Sequence, residues 1–427
     1  MAVGKYQGAL GVEKARREVM ALPKKLALLI AALATLGDAA PRTPMNTLWR
    51  QQRTTGKAVY IITNEAENAV VALPIRKDGT LAAGRSTKTG GAGAVMVGAA
   101  SGNPQLPDGL ASQSSLSVLG NNIFAVNSGS NTLSMLAINP NDPSCLTMVG
   151  QPVAVPGEFP NTVAASAKNN LVCVATTGAV AGVSCASFSD RGIGPMDKLR
   201  PFDIGQSTPP KGPLNTVSQT LFSGDEMKLL TMVKGDPPNN KTGFVSVFDV
   251  QRQWRRPSTL ATQGVRSSPN GTAVLFGTSR IPGSPNSFFA TDASFGAAVI
   301  SLDQNGTATA AHSQALDGQK ATCWATVSSA SRSAFVTDVG RDLIVEMSLS
   351  DASIIKQYDL SANGDPGLID LASGGNFVYA LSPGNGTTGA AITVLDVSGG
   401  KGGAKQAQRF SLAGLASSTA QGMAVLM

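Results

Sequence analysis

Histidine is almost missing from this sequence. His312 is the only one in 427 residues. A lone imidazole argues against a His-based zinc centre and leaves one place at most for a histidine general base. Cys145, Cys173, Cys185 and Cys323 are the only cysteines, and no cluster has metal-ligand spacing. No Ser–His or Cys–His nucleophile pair is apparent. Calcium held by Asp and Asn oxygens stays open, and no cofactor is expected. Long apolar runs are missing too. The stretch Leu26 to Leu36 spans eleven residues, against the roughly 20 that cross a bilayer, so the protein is not expected to span a membrane.

Net charge is scarce once it is located. Residues 1–57 hold ten Lys/Arg and three acids, which accounts for the whole net charge of +7. The remaining chain balances, with 24 basic and 24 acidic groups. A neutral body lacks the footprint that a phosphate backbone requires, so no nucleic-acid partner is expected.

The basic N-terminal segment reads as an export signal. In "MALPKKLALLIAALATLGDAAP", Lys24 and Lys25 precede the apolar run, and the small residues of "GDAA" offer a cleavage site near Ala40. Residues 1–40 are therefore expected to be a signal peptide. Met20 is the expected start, and the 19 residues before it are either an over-extension or a long n-region; the alternative to a signal is an amphipathic N-terminal helix of a cytosolic protein. Residues 41–57 form a lead-in segment. Export makes four sequons readable as glycan acceptors, at Asn240, Asn270, Asn305 and Asn385. It also permits disulfides. "NNLVCVATTGAVAGVSCASF" sets Cys173 and Cys185 symmetrically about Ala179. A hairpin turning there places them opposite each other, as a disulfide or as two packed thiols. The protein is expected to be secreted, extracellular or in a cell wall, and a monomer.

What is abundant is glycine, with 47 residues, and short apolar runs separated by Gly/Asn/Asp/Pro/Ser clusters. That pattern belongs to an all-β chain with many turns. Seven two-strand runs repeat, from Ala58, Asn122, Asn170, Lys228, Thr272, Ser333 and Phe377. A further strand precedes six of them: "SSLSVLG", "NTVAASA", "NTVSQTLFS", "QGVRSSP", "ATCWATVSS" and "GLIDLAS". A polar strand usually follows, such as "DGTLAAGRSTKT". Four strands in about 40–60 residues make a β-propeller blade. The hairpin at Ala58 has no strand before it, and "AQGMAVLM" at the C-terminus has the form of the missing one. Residues 58–427 are thus expected to form one seven-bladed β-propeller, closed when residues 419–427 join the N-terminal blade. His312, in "TATAAHSQAL", then falls on an outermost strand, in solvent.

The pattern "VYIITN…NAVVALPI…DGTL", with "GQPVAVPGEFPNTVAASAKNNLVCVATTGAVAGVSC", resembles the secreted fungal branch of the carboxymuconate lactonizing enzyme group. This group belongs with the 6-phosphogluconolactonase-like seven-bladed propellers. The resemblance covers roughly residues 58–427. It implies metal-independent chemistry, either lactone hydrolysis or a lactone-forming cycloisomerisation. Lactonizing members use His, Glu and Arg around the channel mouth, and this chain lacks that histidine.

Candidate site residues follow from the blade assignment. The innermost strands begin near Gln113, Asn161, Asn215, Gln263, Thr322, Asp365 and Gln421, whose side chains would line the channel. Asn and Gln at such places also serve simply to satisfy loop backbone. Glu158 and Asp365 are the candidate acid/base groups, and Lys211, Arg266 and Lys320 the candidate electrophilic partners. Two function classes remain: a secreted lactonase or cycloisomerase-like enzyme acting on a small carboxylated ring, and a non-catalytic propeller that binds a glycan, a small molecule or a host protein. Trp324 reads as core, and Trp254, beside Arg252, Arg255 and Arg256, as a solvated turn.

Overall fold

The computed structural model describes residues 55–252 and 257–427. The signal and lead-in assignments, Trp49 and Trp254 fall wholly or almost wholly outside the described residues. Seven antiparallel sheets succeed one another in a ring, and their innermost strands neighbour each other in chain order. The fold is a seven-bladed β-propeller.

Blade 1 runs outward from Gln421–Leu426 through Ala58–Ile62 and Ala69–Pro74 to Arg85–Lys88. The ring is therefore closed by the C-terminal strand, with Ala58 opposite Leu426 and Tyr60 opposite Ala424. Alternation of side chains across this strand explains why it is apolar on both faces. Met423 and Val425 pack into the cluster shared with blades 6 and 7, while Ala424 and Leu426 pack into the cluster shared with blades 2 and 3. Met427 lies past the strand and is 59% exposed.

The inner strands of blades 2 to 7 are Leu116–Leu119, Pro160–Ser166, Val217–Phe222, Leu275–Arg280, Thr322–Ser328 and Ile369–Gly374. Second strands are the most apolar and are almost wholly buried, as in Leu171–Thr176 and Phe377–Ser382. Outer strands such as Ala308–Ala315 and Lys405–Ser411 are mostly exposed, which is why their sequences are polar. His312 sits exposed on the first of these.

One strand differs from expectation. Val265–Ser267, from "QGVRSSP", pairs with the third strand of blade 4, Phe244–Gln251, and so is an outer strand. Blade 5 instead begins with Leu275–Arg280, where Leu275 and Phe276 are buried. The innermost place goes to the segment that can bury apolar surface on both faces, and exposed Val265 and Arg266 cannot.

Cys173 and Cys185 are directly opposed on neighbouring strands of blade 3 and are joined by a disulfide. All four sequon asparagines are exposed.

The chain between blades 1 and 2 departs from the repeat. Its Val97–Gly98 pairs in parallel with Lys211–Gly212. It then enters the central channel, which residues 108–115 plug. The Gln113 side chain both donates to and accepts from the backbone of Ala325 in blade 6, at 2.8 and 3.1 Å. Its backbone N–H reaches Ser218 of blade 4 at 2.9 Å. The Ser112 hydroxyl donates to Asn161 of blade 3, and the Ser112 carbonyl accepts from the Trp324 indole of blade 6. Asp108, Ala111 and Ser114 all have positive φ, a conformation that costs a non-glycine residue free energy and persists only when its surroundings over-determine it.

Candidate functional site

A cavity of about 500 Å³ opens on the propeller face where the inner strands begin. The plug supplies its floor at Asp108, and blade 4 supplies Lys234. Both residues are almost fully buried, at 4% and 2% exposure. The Lys234 ammonium donates to the carbonyl oxygen of Ala111 and stands 4.4 Å from the centre of the Phe276 ring. Phe276 meets Trp324 edge-on at 4.9 Å. The Lys234 backbone is fixed by its N–H, which donates to Thr216 at 2.9 Å.

Burial pushes the Asp108 carboxyl well above the usual carboxylate range. The Lys234 charge, the Ala111 backbone and the Gln421 amide oppose that push. Burial likewise lowers the Lys234 ammonium, against the pull of Asp108. Desolvation disfavours both charges and mutual attraction restores them, so the two groups titrate toward neutrality from opposite sides. Behind them, Asp370 on the inner strand of blade 7 is raised by burial first and then by Asp108. Cys323, in the same cavity wall, has its thiol raised by burial and by Asp108. That makes it a poor nucleophile.

Lys234 follows the second strand of its blade directly. The residues in that place in the other blades are Thr63, Ser128, Thr177, Ala293, Val339 and Pro383. One charge among seven equivalent positions is the signal in the sequence that marks Lys234. Asp108 carried no such signal, because it lies outside the repeat.

The residues singled out from sequence are dispersed. Lys320 is exposed and lines the cavity, its backbone N–H donating to Asp338 at 2.7 Å. Lys211 is exposed in an adjoining groove of about 920 Å³, which shares Gln105, Pro213, Leu214 and Pro238 with the cavity. Glu158 is half-buried and accepts from the Thr208 hydroxyl. Arg266 lies on the outer edge of blade 4, over the rings of Phe202 and Phe244, and donates to the Pro201 carbonyl at 2.9 Å. Asp365 is gripped by Arg409 of the outermost strand of blade 7 through bonds of 3.0 and 2.6 Å. Gln263 is exposed near the outer edge of blade 4. Arg266 and Asp365 are thus held by their own neighbours rather than gathered at the cavity, and neither they nor Gln263 line it.

Buried amides serve the scaffold. Asn161 donates to the Leu110 and Val217 carbonyls at 3.3 and 2.7 Å, and Asn215 to Ile204 at 2.8 Å. Gln113 belongs to the plug rather than to a channel wall. Thr322 is buried at the start of its strand, its N–H donating to Gln319 at 3.0 Å. Gln421 differs: it is buried near Asp108, and neither of its amide atoms has a hydrogen-bond partner. Among the described residues, no three His, Cys, Asp or Glu side chains gather to hold a metal ion, and no helix is long and apolar enough to cross a membrane.

Fold and site together define a seven-bladed propeller with a plugged channel and two buried groups of opposite charge type, Asp108 and Lys234, lining one cavity. Solved structures of the same architecture include the periplasmic gluconolactonase PpgL of Pseudomonas aeruginosa. It has 15% identity and a TM-score of 0.61, with 87% of this chain and 99% of that one covered. A putative 6-phosphogluconolactonase from Bacteroides uniformis has 15% identity and a TM-score of 0.52, over 67% and 80% of the two chains. A functionally unknown protein from Desulfotomaculum acetoxidans has 12% identity and a TM-score of 0.57, over 87% and 99%. At these identities the likeness is one of fold. No protein-family model and no curated protein matches the chain.

Proposed function

We propose that this protein is an exported, metal-independent lactonase that works at the cavity above Asp108 and Lys234. The observation that carries the proposal is the buried Asp108–Lys234 pair, both members shifted toward neutrality at the foot of an open cavity. Titratable groups perturbed by burial and by a charge partner in a cleft are functional-site candidates. The lactonase names of the fold's neighbours agree with it.

In hydrolysis, the Asp108 carboxylate takes a proton from a water molecule as its oxygen attacks the lactone carbonyl carbon. The ring C–O bond then breaks, and the Lys234 ammonium gives its proton to the departing ring oxygen. The product is a hydroxy acid. The proton taken up by Asp108 returns to Lys234, and the new acid loses its own proton to solvent. Run in reverse, the same pair closes a ring. The resemblance to secreted fungal carboxymuconate lactonizing proteins supports a small carboxylated ring as substrate, with Lys320 or Lys211 receiving its carboxylate at the mouth. The four exposed sequons and the disulfide support a secreted glycoprotein.

A second reading has its own observation. Lys234 also ties down the plug through Ala111, which is what a structural pair in a non-catalytic, ligand-binding or antigenic propeller would do. Acid release from a panel of lactones at constant pH separates the two. Turnover that is lost in Lys234→Met and Asp108→Asn, with the fold retained, supports the enzyme. Turnover that survives both substitutions overturns it.

A further inference from the structure

The cavity walls bear on which lactone fits, an inference that rests on the lactonase reading above. Apart from the charged pair, the walls are made of apolar side chains, among them Pro107, Leu214, Pro237, Val274, Phe276 and Val339. The few polar side chains beside them are largely engaged or peripheral. The Gln105 amide nitrogen donates to the Asp108 carbonyl at 2.8 Å, and its Oε1 is a single buried acceptor left without a partner. The Ser294 hydroxyl donates to Asp292. Cys323 offers only a weak thiol donor, and Lys320 is exposed. A ring carrying several hydroxyls would lose water on entering and find too few partners along these walls, where Gln105 Oε1 can accept from only one or two of them. Each hydroxyl left unpaired in such a place costs about tenfold in binding or more.

We infer that the substrate is a lactone with an apolar alkyl or aryl body, its ester group over Asp108 and Lys234, rather than a polyhydroxylated sugar lactone. The fold's sugar-lactone neighbours therefore do not set the specificity here. An anionic group is compatible only near the rim, where Lys320 stands. The volume of about 500 Å³ lies within the range of ordinary small-molecule sites and accommodates a ring with a short alkyl chain or a fused benzene ring.

The test compares kcat/KM for γ-nonalactone and dihydrocoumarin with that for glucono-δ-lactone, following acid release and subtracting spontaneous opening. The apolar lactones are expected to be favoured at least about 100-fold, as two or more unpaired hydroxyls require. Val339→Thr, which keeps the side-chain shape and adds one wall hydroxyl, should narrow that ratio several-fold. Equal or better turnover of glucono-δ-lactone overturns the substrate class while leaving the lactonase reading standing. If no lactone turns over, the lactonase reading fails, and calorimetric binding to the same protein decides the rest. Binding of γ-nonalactone without binding of gluconate upholds an apolar-ligand cavity, and any other pattern overturns it.

Discussion

Truncating Leu426 to alanine isolates what closure of the ring contributes. Leu426 is 6% exposed and packs with Ala58, Tyr60 and Phe124 in the cluster of blades 1 to 3, whereas Met423, also 6% exposed, packs in the cluster of blades 6, 7 and 1. Each Leu→Ala or Met→Ala change in such a core costs about 2–5 kcal/mol. The two side chains point to opposite faces, and three residues of strand separate them by roughly 10 Å. Their costs should therefore add to within about 0.5 kcal/mol. The double variant then loses roughly 4–10 kcal/mol, a large share of a total stability of about 5–15 kcal/mol, and its urea midpoint should fall further than that of either single variant. Met427→Ala is the control. At 59% exposure, that side chain should contribute no more than about 0.5 kcal/mol. Urea unfolding followed by far-ultraviolet circular dichroism compares the two single variants, the double variant and the control with the parent protein. If Leu426→Ala and Met427→Ala cost the same, the C-terminal strand does not close the ring, and the blade count has to be redrawn.

Four further outcomes are expected. Lactone turnover should peak in a narrow band around neutral pH. The acid limb, set by Asp108, lies above the ordinary value of about 3.9, and the basic limb, set by Lys234, lies below about 10.4; a profile flat across neutrality would remove the pair from the chemistry. Replacing Cys173 and Cys185 by serine opens a crosslink between residues 12 apart and should cost roughly 2–3 kcal/mol in urea unfolding. Arg409→Met should cost about 3–5 kcal/mol, because it strands Asp365, whose side chain is 0% exposed; adding Asp365→Asn should restore part of the loss, and a double variant no better than the single one would argue against the pair. His312→Ala should leave turnover unchanged, since the residue is exposed on an outer strand, and a loss beyond about tenfold would show that His312 takes part.

Much of the architecture was legible in the sequence because a propeller is built from local pairs. Each second and third strand are neighbours along the chain, so apolar runs and turn residues reveal them one hairpin at a time. The C-terminal strand was legible because an innermost strand buried on both faces must be apolar on both, and "GMAVL" is. The opposed cysteines were legible because hairpin register follows from spacing. The blade 4 and blade 5 boundary was not. "QGVRSSP" and "VLFGTSR" both precede turns, and only packing decided which strand lies innermost. The site was decided by tertiary structure almost entirely. Residues 108–115 have no periodicity, and their partners are remote: Gln113 meets Ala325 from 212 positions away. Lys234 differs from its six blade equivalents in the sequence itself, yet nothing there says that Asp108 will be folded into the channel to face it. Asp365 looked available until Arg409, 44 positions on, took both of its oxygens. Strand pairing is a short-range property of the chain, whereas the burial of a charge depends on everything packed around it.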